Sequence, residues 1–112
     1  MWLYSKHGFL SIIEPFDKMK EEGFLLVRGR VAGDIEAHFP EAKVQQTPAR
    51  DYLYRALVRR ERVAQVLADQ VKAIDYSNYK STVDDMVRHR WYHRVWDQMV
   101  ELQEEKANDD SR

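Results

Sequence analysis

Two stretches near the start of the chain have the apolar pattern of β-strands. Residues 2–13 are rich in aromatic and β-branched residues, and residues 24–31 repeat that mixture after the turn-like stretch EPFDKMKEEG. Together they predict an antiparallel hairpin. Because side chains alternate along a strand, Leu25, Val27, Gly29 and Val31 are expected on one face of the second strand, and Phe24 and Leu26 on the other. Arg28 and Arg30 therefore point together to the other face.

The middle of the chain predicts a short helix and further extended structure. The stretch AGDIEAHFP is long enough for one short helix, which Pro40 ends. KVQQ is then extended, a turn follows at Pro48, and residues 52–58 form another strand. On that strand Tyr52 and Tyr54 share a face, and Arg55 is expected on the opposite one.

From Arg60 onward the apolar spacing changes to three or four residues, which is typical of helices. The first helical stripe is Val63, Val66, Leu67, Gln70, Val71 and Ile74. A second helix is expected to begin at an N-cap, Ser81 or Thr82, and to end near Lys106. Its apolar stripe is Val83, Met86, Val87, Trp91, Val95, Met99 and Leu102.

These elements predict an α+β fold: an antiparallel four-stranded sheet with two long C-terminal helices packed on one face. We expect residues 1–106 to form a single domain and residues 107–112 to form a disordered acidic tail. The other face of such a sheet is free to meet a ligand, a nucleic acid or a second subunit.

Composition narrows the class of protein. The 112 residues, 44% hydrophobic and 33% charged, suit one globular domain. Cysteine is absent, which excludes zinc bound by thiolates, thiol redox chemistry and a thiol nucleophile. The N-terminus lacks the pattern of a signal peptide, and no apolar run reaches the length of a membrane span. We therefore expect a cytoplasmic protein that is not associated with a membrane.

Charge is nearly balanced overall but unevenly distributed. The net charge of −1 does not suit a protein that coats nucleic acid nonspecifically. Residues 43–62, however, contain six basic residues and two acidic ones, and the stretch from Glu101 onward contains five acidic residues and two basic ones. The middle of the chain is therefore basic and its end acidic.

Two histidines in RHRWYHRVW are candidate metal ligands. His89 and His93 lie one helical turn apart, as two zinc ligands would. A convincing third ligand is missing, so we predict neither a metal nor a cofactor. Tyr92 and Trp96 lie on a neighbouring face of the same helix, which favours a homo-oligomer.

The connector AIDYSNYKSTV between the two helices is unusually polar for a linker. Its tyrosines and amide are suited to a clasp that pins the last helix to the sheet. Alternatively, they border an anion-binding pocket together with the two strand arginines. The predicted ligand-binding residues are Arg28, Arg30, Tyr76, Asn78, Lys80 and His93.

Several motifs together resemble a known family. They are MWLYSKHGF, LLVRGRV, TPARDYLYR, AIDYSNYK and YHRVW, and they cover nearly the whole chain up to Leu102. The chain is similar to a family of small bacterial and phage proteins, about 100 residues long, that are uncharacterised and have no assigned function. The resemblance implies a compact domain in a bacterial or viral cytoplasm and implies no chemistry.

Three functions fit the sequence. The first is a non-enzymatic binding module for an anionic partner: a nucleotide, nucleic-acid phosphate or an acidic protein surface. The second is a small phosphoester hydrolase in which His93 is the general acid or base, and Tyr76 and Arg28 anchor the substrate. The third is a purely structural oligomer. The sequence contains no GxSxG elbow and no phosphate-binding loop, so we predict no catalytic residue.

Overall fold

A computed structural model describes residues 1–16 and 18–110 of the chain. The chain divides into two compact units, Met1–Asp75 and Tyr76–Arg112. The first unit holds an antiparallel sheet with strand order β1-β2-β3-β5-β4. The strands are β1 (Trp2–Ser5), β2 (Gly8–Ile13), β3 (Phe24–Gly29), β4 (Gln45–Gln46) and β5 (Tyr54–Arg59). This unit also contains a 3-10 turn (Lys18–Lys20) and the helices α1 (Asp34–His38) and α2 (Arg60–Lys72).

The α+β class and the antiparallel sheet are confirmed, but the sheet has five strands and not four. Residues 2–13 are not one strand, because the chain reverses between Ser5 and Gly8 and pairs β1 with β2. The Ser5 hydroxyl stabilises this turn by accepting a hydrogen bond from the backbone N–H of His7 at 3.2 Å. The extended KVQQ segment adds the very short edge strand β4.

The core of the first unit lies between the sheet and the two helices. Alternation within β3 is confirmed, since Val27 and Gly29 are buried and Leu25 packs against the core. Val31 was expected on the same face, but it lies beyond the end of β3 and is 52% exposed. The buried cluster comprises Leu10, Ile12, Val27, Ile35, Phe39, Ala56, Val58 and Val63. The predicted stripe of α2 packs on this cluster through Val63, Val66 and Leu67. Burial of such side chains contributes about 25 cal/mol per Å² of apolar surface.

Helix α1 is held closely against the β1–β2 hairpin. A Cβ atom at Gly8 would lie 2.7 Å from Cγ of Asp34, so only glycine fits there. The Asp34 carboxylate accepts the N–H of Phe9 at 3.1 Å. His38, only 5% exposed, lies 2.7 Å from the Asp34 carbonyl through Nδ1 and 2.6 Å from the Ser5 hydroxyl through Nε2. These contacts connect α1 to both strands of the hairpin.

The second unit contains a 3-10 turn (Lys80–Thr82) and the long helix α3 (Met86–Asp110). The predicted N-cap was wrong, because the Ser81 and Thr82 hydroxyls donate back to carbonyls of the connector. Asp85 caps α3, and its carboxylate accepts the N–H groups of Val87 and Arg88 at 3.0 and 3.2 Å.

Helix α3 also differs from its prediction in length and burial. It is 25 residues long and continues to Asp110, four residues past the predicted end at Lys106 and into the predicted tail. Ser111 and Arg112 lie outside the described residues. There is one long helix and not two, since α2 has 13 residues. In the predicted apolar stripe of α3, Val83 is buried, whereas five of its members are 48–77% exposed: Met86, Val87, Trp91, Met99 and Leu102.

Hydropathy adds one finding about the helices. No helix in the described part of the chain is long and apolar enough to cross a membrane.

Candidate anion-binding groove

The side of the sheet opposite the core carries aromatic and basic side chains. Strand register places these residues together, since each pair of antiparallel neighbours shares a face. We call this surface the outer face; it consists of Trp2, Tyr4, Phe9, Ser11, Ile13, Phe24, Leu26, Arg28, Arg55, Leu57 and Arg59.

Two arginines of the predicted site meet on one tyrosine ring at the outer face. Cζ of Arg28 lies 4.5 Å from the ring centroid of Tyr52, and Cζ of Arg30 lies 4.1 Å from the same centroid. Arg28 also donates to the Ser11 hydroxyl at 2.6 Å. Tyr52 is only 4% exposed, so its ring is a fixed support. Each contact is within the range of a cation–π interaction.

Asp51 supplies negative charge next to these arginines. Its carboxylate accepts the N–H of Tyr52 at 2.9 Å and a guanidinium N–H of Arg55 at 3.0 Å. Arg30 donates a hydrogen bond to the backbone carbonyl of Asp51 at 3.0 Å and not to its carboxylate. Within residues 1–16 and 18–110, neither Arg28 nor Arg30 forms an ion pair with a carboxylate. Their positive charges are thus available to an anion.

The sequence prediction for Tyr52 was wrong. We expected it on a strand, with its ring on the opposite face from Arg55. Strand β5 begins only at Tyr54, and residues 51–53 form a bend. Strict alternation therefore does not apply at Tyr52, which contacts Arg28 on the same face as Arg55.

A groove of about 860 Å³ continues from this cluster along β5. Its volume is within the range of ligand-binding pockets. The charged residues that line it are five bases and one acid: Lys43, Arg50, Arg55, Arg59, Arg62 and Glu41. Pro15, Phe16, Phe24, Leu26 and Leu57 supply an apolar lining.

Ion pairs reduce the charge of this groove only in part. Arg62 binds Glu41 at 2.5 Å, and this hydrogen bond holds the pKa of the Glu41 carboxyl below its usual value. Arg55 is paired with Asp51. In the described part of the chain, the remaining three bases have no carboxylate partner: Lys43, Arg50 and Arg59. The groove thus has a local excess of three positive charges in a protein whose net charge is −1.

Two phenylalanines give the groove flat apolar surfaces. Phe16 is 90% exposed, and the ring of Phe24 lies under the guanidinium of Arg59 with Cζ 4.8 Å from its centroid. Strand β4 pairs only with Tyr54 and Arg55, so the β5 edge from Ala56 onward has no strand partner on that side among the described residues. The groove therefore combines cations, aromatic rings and a strand edge.

The second unit holds the other predicted site residues. Tyr76, Tyr79 and Tyr92 form a series of rings, with centroids 6.1 and 6.4 Å apart. Nζ of Lys80 lies 4.3 Å above the ring of Trp96. The Asn78 side chain accepts the N–H of Lys80 at 3.1 Å. Tyr79 stacks on Tyr92 of α3 and Tyr76 lies tilted against Tyr79, so both connector tyrosines contribute to packing within the second unit.

His93 belongs to the same aromatic group in the second unit. Its ring stacks on Trp96 at a centroid distance of 5.7 Å, and Nε2 lies 3.9 Å from the Asp97 carboxylate. Within the described residues, no three or more histidine, aspartate and glutamate side chains are grouped as a metal site requires. Arg28 and Arg30 lie in the first unit; Tyr76, Asn78, Lys80 and His93 lie in the second. Their joint pocket stays a prediction.

Replacing Tyr79 with phenylalanine is expected to leave stability unchanged or to raise it by up to about 1 kcal/mol. The Tyr79 hydroxyl is buried and has no hydrogen-bond partner in the described part of the chain. Burial also raises the pKa of Tyr79 above its usual value of 10.0, because the phenolate is poorly solvated there.

The raised pKa of Tyr79 predicts that the protein loses stability at alkaline pH. Above a pH of about 10 the unfolded state releases the Tyr79 proton and the folded state keeps it, so stability falls as the pH rises. The Tyr79→Phe variant should lose less stability between about pH 9 and 11, values chosen to bracket the ordinary pKa. Thermal melting across that range measures the difference, with the exposed Tyr76→Phe as control. Identical pH profiles for wild type and Tyr79→Phe would contradict the account.

Sequence reasoning found part of this groove and missed the rest. The basic excess of residues 43–62 already contained Lys43, Arg50 and Arg59. Strand alternation also placed Phe24 on the face of Arg28 and Arg30, as the structure shows. Phe16 gave no signal, because it belongs to a turn-like segment.

Comparisons with known proteins name no relative. No family model, curated protein or solved structure matches the chain. The resemblance to small bacterial and phage proteins therefore stays a prediction.

Proposed function

We propose that the protein is a non-enzymatic binding module whose groove holds a segment of single-stranded nucleic acid. The observation that carries this proposal is the composition of the groove: three unpaired cations beside two phenylalanine rings in the described part of the chain. Proteins that bind single strands combine a basic groove for phosphates with aromatic side chains that stack on bases. Lys43, Arg50 and Arg59 would pair with phosphates, and Phe16 and Phe24 would stack.

The arginine cluster extends this surface. Arg28 and Arg30 are held on Tyr52 and have no carboxylate partner among the described residues, so they would take the next phosphates along the strand. Arg55 lines the groove, and it is the partner of Arg28 in the pairing of β3 with β5. Arg55 therefore connects the groove to the arginine cluster on Tyr52. Guanidinium groups suit this task because they donate two parallel hydrogen bonds to phosphate oxygens.

An acidic peptide is the competing ligand. It would pair with the same cations and could add a strand to the free edge of β5. The largely exposed ring of Phe16 favours nucleic acid, because a base offers a flat surface for stacking and an acidic side chain does not.

The test is fluorescence anisotropy with a labelled oligothymidylate at low ionic strength, where phosphate pairing is strong. We expect Lys43→Gln/Arg59→Gln to weaken binding by roughly tenfold or more, since two phosphate contacts are lost. The matched control, Lys6→Gln/Lys72→Gln, removes the same charge outside the groove and should bind like wild type. Equal losses in both variants would show that only net charge matters.

The same assay separates the two ligands. Phe16→Ala should weaken oligothymidylate binding by roughly fivefold or more, because stacking of one base is worth about 1–3 kcal/mol. It should leave binding of a labelled polyglutamate peptide unchanged. If polyglutamate binds more tightly than the oligonucleotide, or if wild type binds neither, the proposal is wrong.

A further inference from the structure

An aromatic patch lies on the outer face at the side of the sheet away from the groove. It consists of Trp2 and Tyr4 of β1 and Phe9 of β2. Tyr4 stacks on Phe9 with ring centroids 4.6 Å apart, and the Trp2 ring meets the Phe9 ring in a T-shaped contact at 6.0 Å. None of the three residues lines the groove, so the site described above leaves this patch unused.

The Trp2 indole is the exposed end of the aromatic patch. It is 68% exposed, whereas Tyr4 and Phe9 are partly buried. The core does not need this ring, because Leu3 is the β1 residue that packs against the buried cluster and Trp2 lies on the other side of the strand. A T-shaped contact covers at most one face of the indole, so a flat face is left on which a base can stack.

Strand register connects Trp2 to the groove through one row of residues across the sheet. The row is Trp2, Ser11, Arg28 and Arg55, each the direct partner of the next. Neighbouring strands are about 4.8 Å apart, so Trp2 lies three spacings, or about 14 Å, from Arg55. Arg28 donates to the Ser11 hydroxyl at 2.6 Å, which holds its guanidinium toward β2. The row therefore carries positive charge from the groove toward the indole.

The charge of the outer face suits an anionic polymer along this row. Within the described strands, the residues that register places on this face include arginines and neither aspartate nor glutamate. Asp51 lies in the bend before β5 and is paired with Arg55 at the groove end of the row. Burial and the neighbouring Tyr52 raise the pKa of the Tyr4 phenol, against the opposing effect of Arg30, so Tyr4 adds no negative charge at neutral pH.

We propose that one nucleic-acid strand crosses the outer face from the groove to Trp2, where a base stacks on the indole. The phosphates between lie on Arg28 and Arg30. This inference rests on the proposed function and specifies its ligand as a polymer. Successive phosphates of one stacked strand are about 3.4 Å apart, so a path of about 14 Å takes roughly four nucleotides beyond those in the groove. A mononucleotide cannot reach both ends. An acidic peptide would gain nothing from the indole, because a carboxylate side chain does not stack.

Oligothymidylates of two lengths test the crossing by fluorescence anisotropy. One has about 12 nucleotides, within the site sizes of single-strand-binding proteins, and the other has about three, too few for the crossing. Trp2→Leu should weaken binding of the longer strand by roughly fivefold or more, because one stacked base is lost. It should not weaken binding of the shorter strand, which fills only the groove.

Two further variants identify the indole ring as the cause. Trp2→Phe keeps a ring for stacking and should bind the longer strand within about twofold of wild type. Trp91→Leu is the matched control, because it removes a tryptophan that is 53% exposed from the second unit, and it should bind like wild type.

Indole fluorescence shows whether a base reaches Trp2. In Trp91→Phe/Trp96→Phe, Trp2 is the one remaining tryptophan. The longer oligothymidylate should quench its emission, and the shorter one should not. Polyglutamate should leave the emission unchanged. Equal quenching by polyglutamate would identify an acidic peptide as the occupant of this face and overturn the proposal.

The outcomes separate this inference from the proposed function. Failure of wild type to bind either strand refutes both. If Lys43→Gln/Arg59→Gln weakens binding of the longer strand, while Trp2→Leu does not and Trp2 emission is unchanged, the groove binds nucleic acid and the crossing is wrong. Equal weakening of both lengths by Trp2→Leu also refutes the crossing, because the shorter strand does not extend to Trp2.

Discussion

Replacing Phe39 with alanine is expected to lower the free energy of unfolding of the first unit by about 3–5 kcal/mol. Phe39 is 0% exposed and is the largest of the fully buried side chains. Its removal leaves a cavity between α1 and the sheet, which the short helix cannot easily fill. Typical domains are stable by only about 5–15 kcal/mol, so this variant approaches the limit of folding.

Urea denaturation followed through the methyl NMR signals of Val27 and Ile35 measures this loss within the core. Phe16→Ala is the matched control, because the same ring is removed from a side chain that is 90% exposed. It should change stability by no more than about 0.5 kcal/mol. Similar losses in the two variants would mean that the core is not where the structure places it.

Replacing Tyr52 with alanine should affect both stability and binding. The buried ring is in contact with Arg28 and Arg30, so its loss leaves a cavity and removes the surface on which both guanidinium groups lie. We expect a loss of about 3 kcal/mol in stability. We also expect oligothymidylate to bind at least several-fold more weakly. Without the ring the arginine side chains are mobile in the free protein, so fixing them against phosphates costs conformational entropy that opposes binding.

Tyr52→Phe separates the ring from its hydroxyl. The ring keeps its volume and its cation–π contacts, so this variant should behave almost like wild type in urea denaturation and in the anisotropy assay. If Tyr52→Phe were as damaging as Tyr52→Ala, the hydroxyl and not the ring would organise the cluster.

Local patterns in the sequence predicted several elements correctly. The change of apolar spacing at Arg60 marks the start of α2, and Pro40 follows the end of α1 closely. Strand alternation placed Arg28 on the side opposite Val27, and the structure confirms this. These predictions depend on neighbours in the chain, whose geometry short-range rules describe.

The errors arose where distant contacts decide the structure. The β1–β2 turn lacks the usual Asn-Gly or Asp-Gly pair and depends on the Ser5 hydroxyl and on Gly8 close to Asp34. Tyr52 was assigned to a strand because its apolar neighbours continue the pattern, yet the bend at residues 51–53 turns its ring toward Arg28. The apolar stripe of α3 was expected to be buried, yet Val87, Trp91 and Met99 are each more than half exposed. A period of three to four residues marks the apolar side of a helix and does not say what covers it.

The salt dependence of oligonucleotide binding tests the central claim most directly, because it counts phosphate contacts. For single strands, the logarithm of the binding constant falls with the logarithm of salt concentration by about 0.7 per contact. Three contacts from Lys43, Arg50 and Arg59 predict a slope of about −2 for wild type, steeper if Arg28 and Arg30 also engage phosphates. The Lys43→Gln/Arg59→Gln variant should lower the steepness by about 1.4, and Lys6→Gln/Lys72→Gln should not change it. A slope near zero, or the same slope in wild type and the groove variant, would contradict the proposed site.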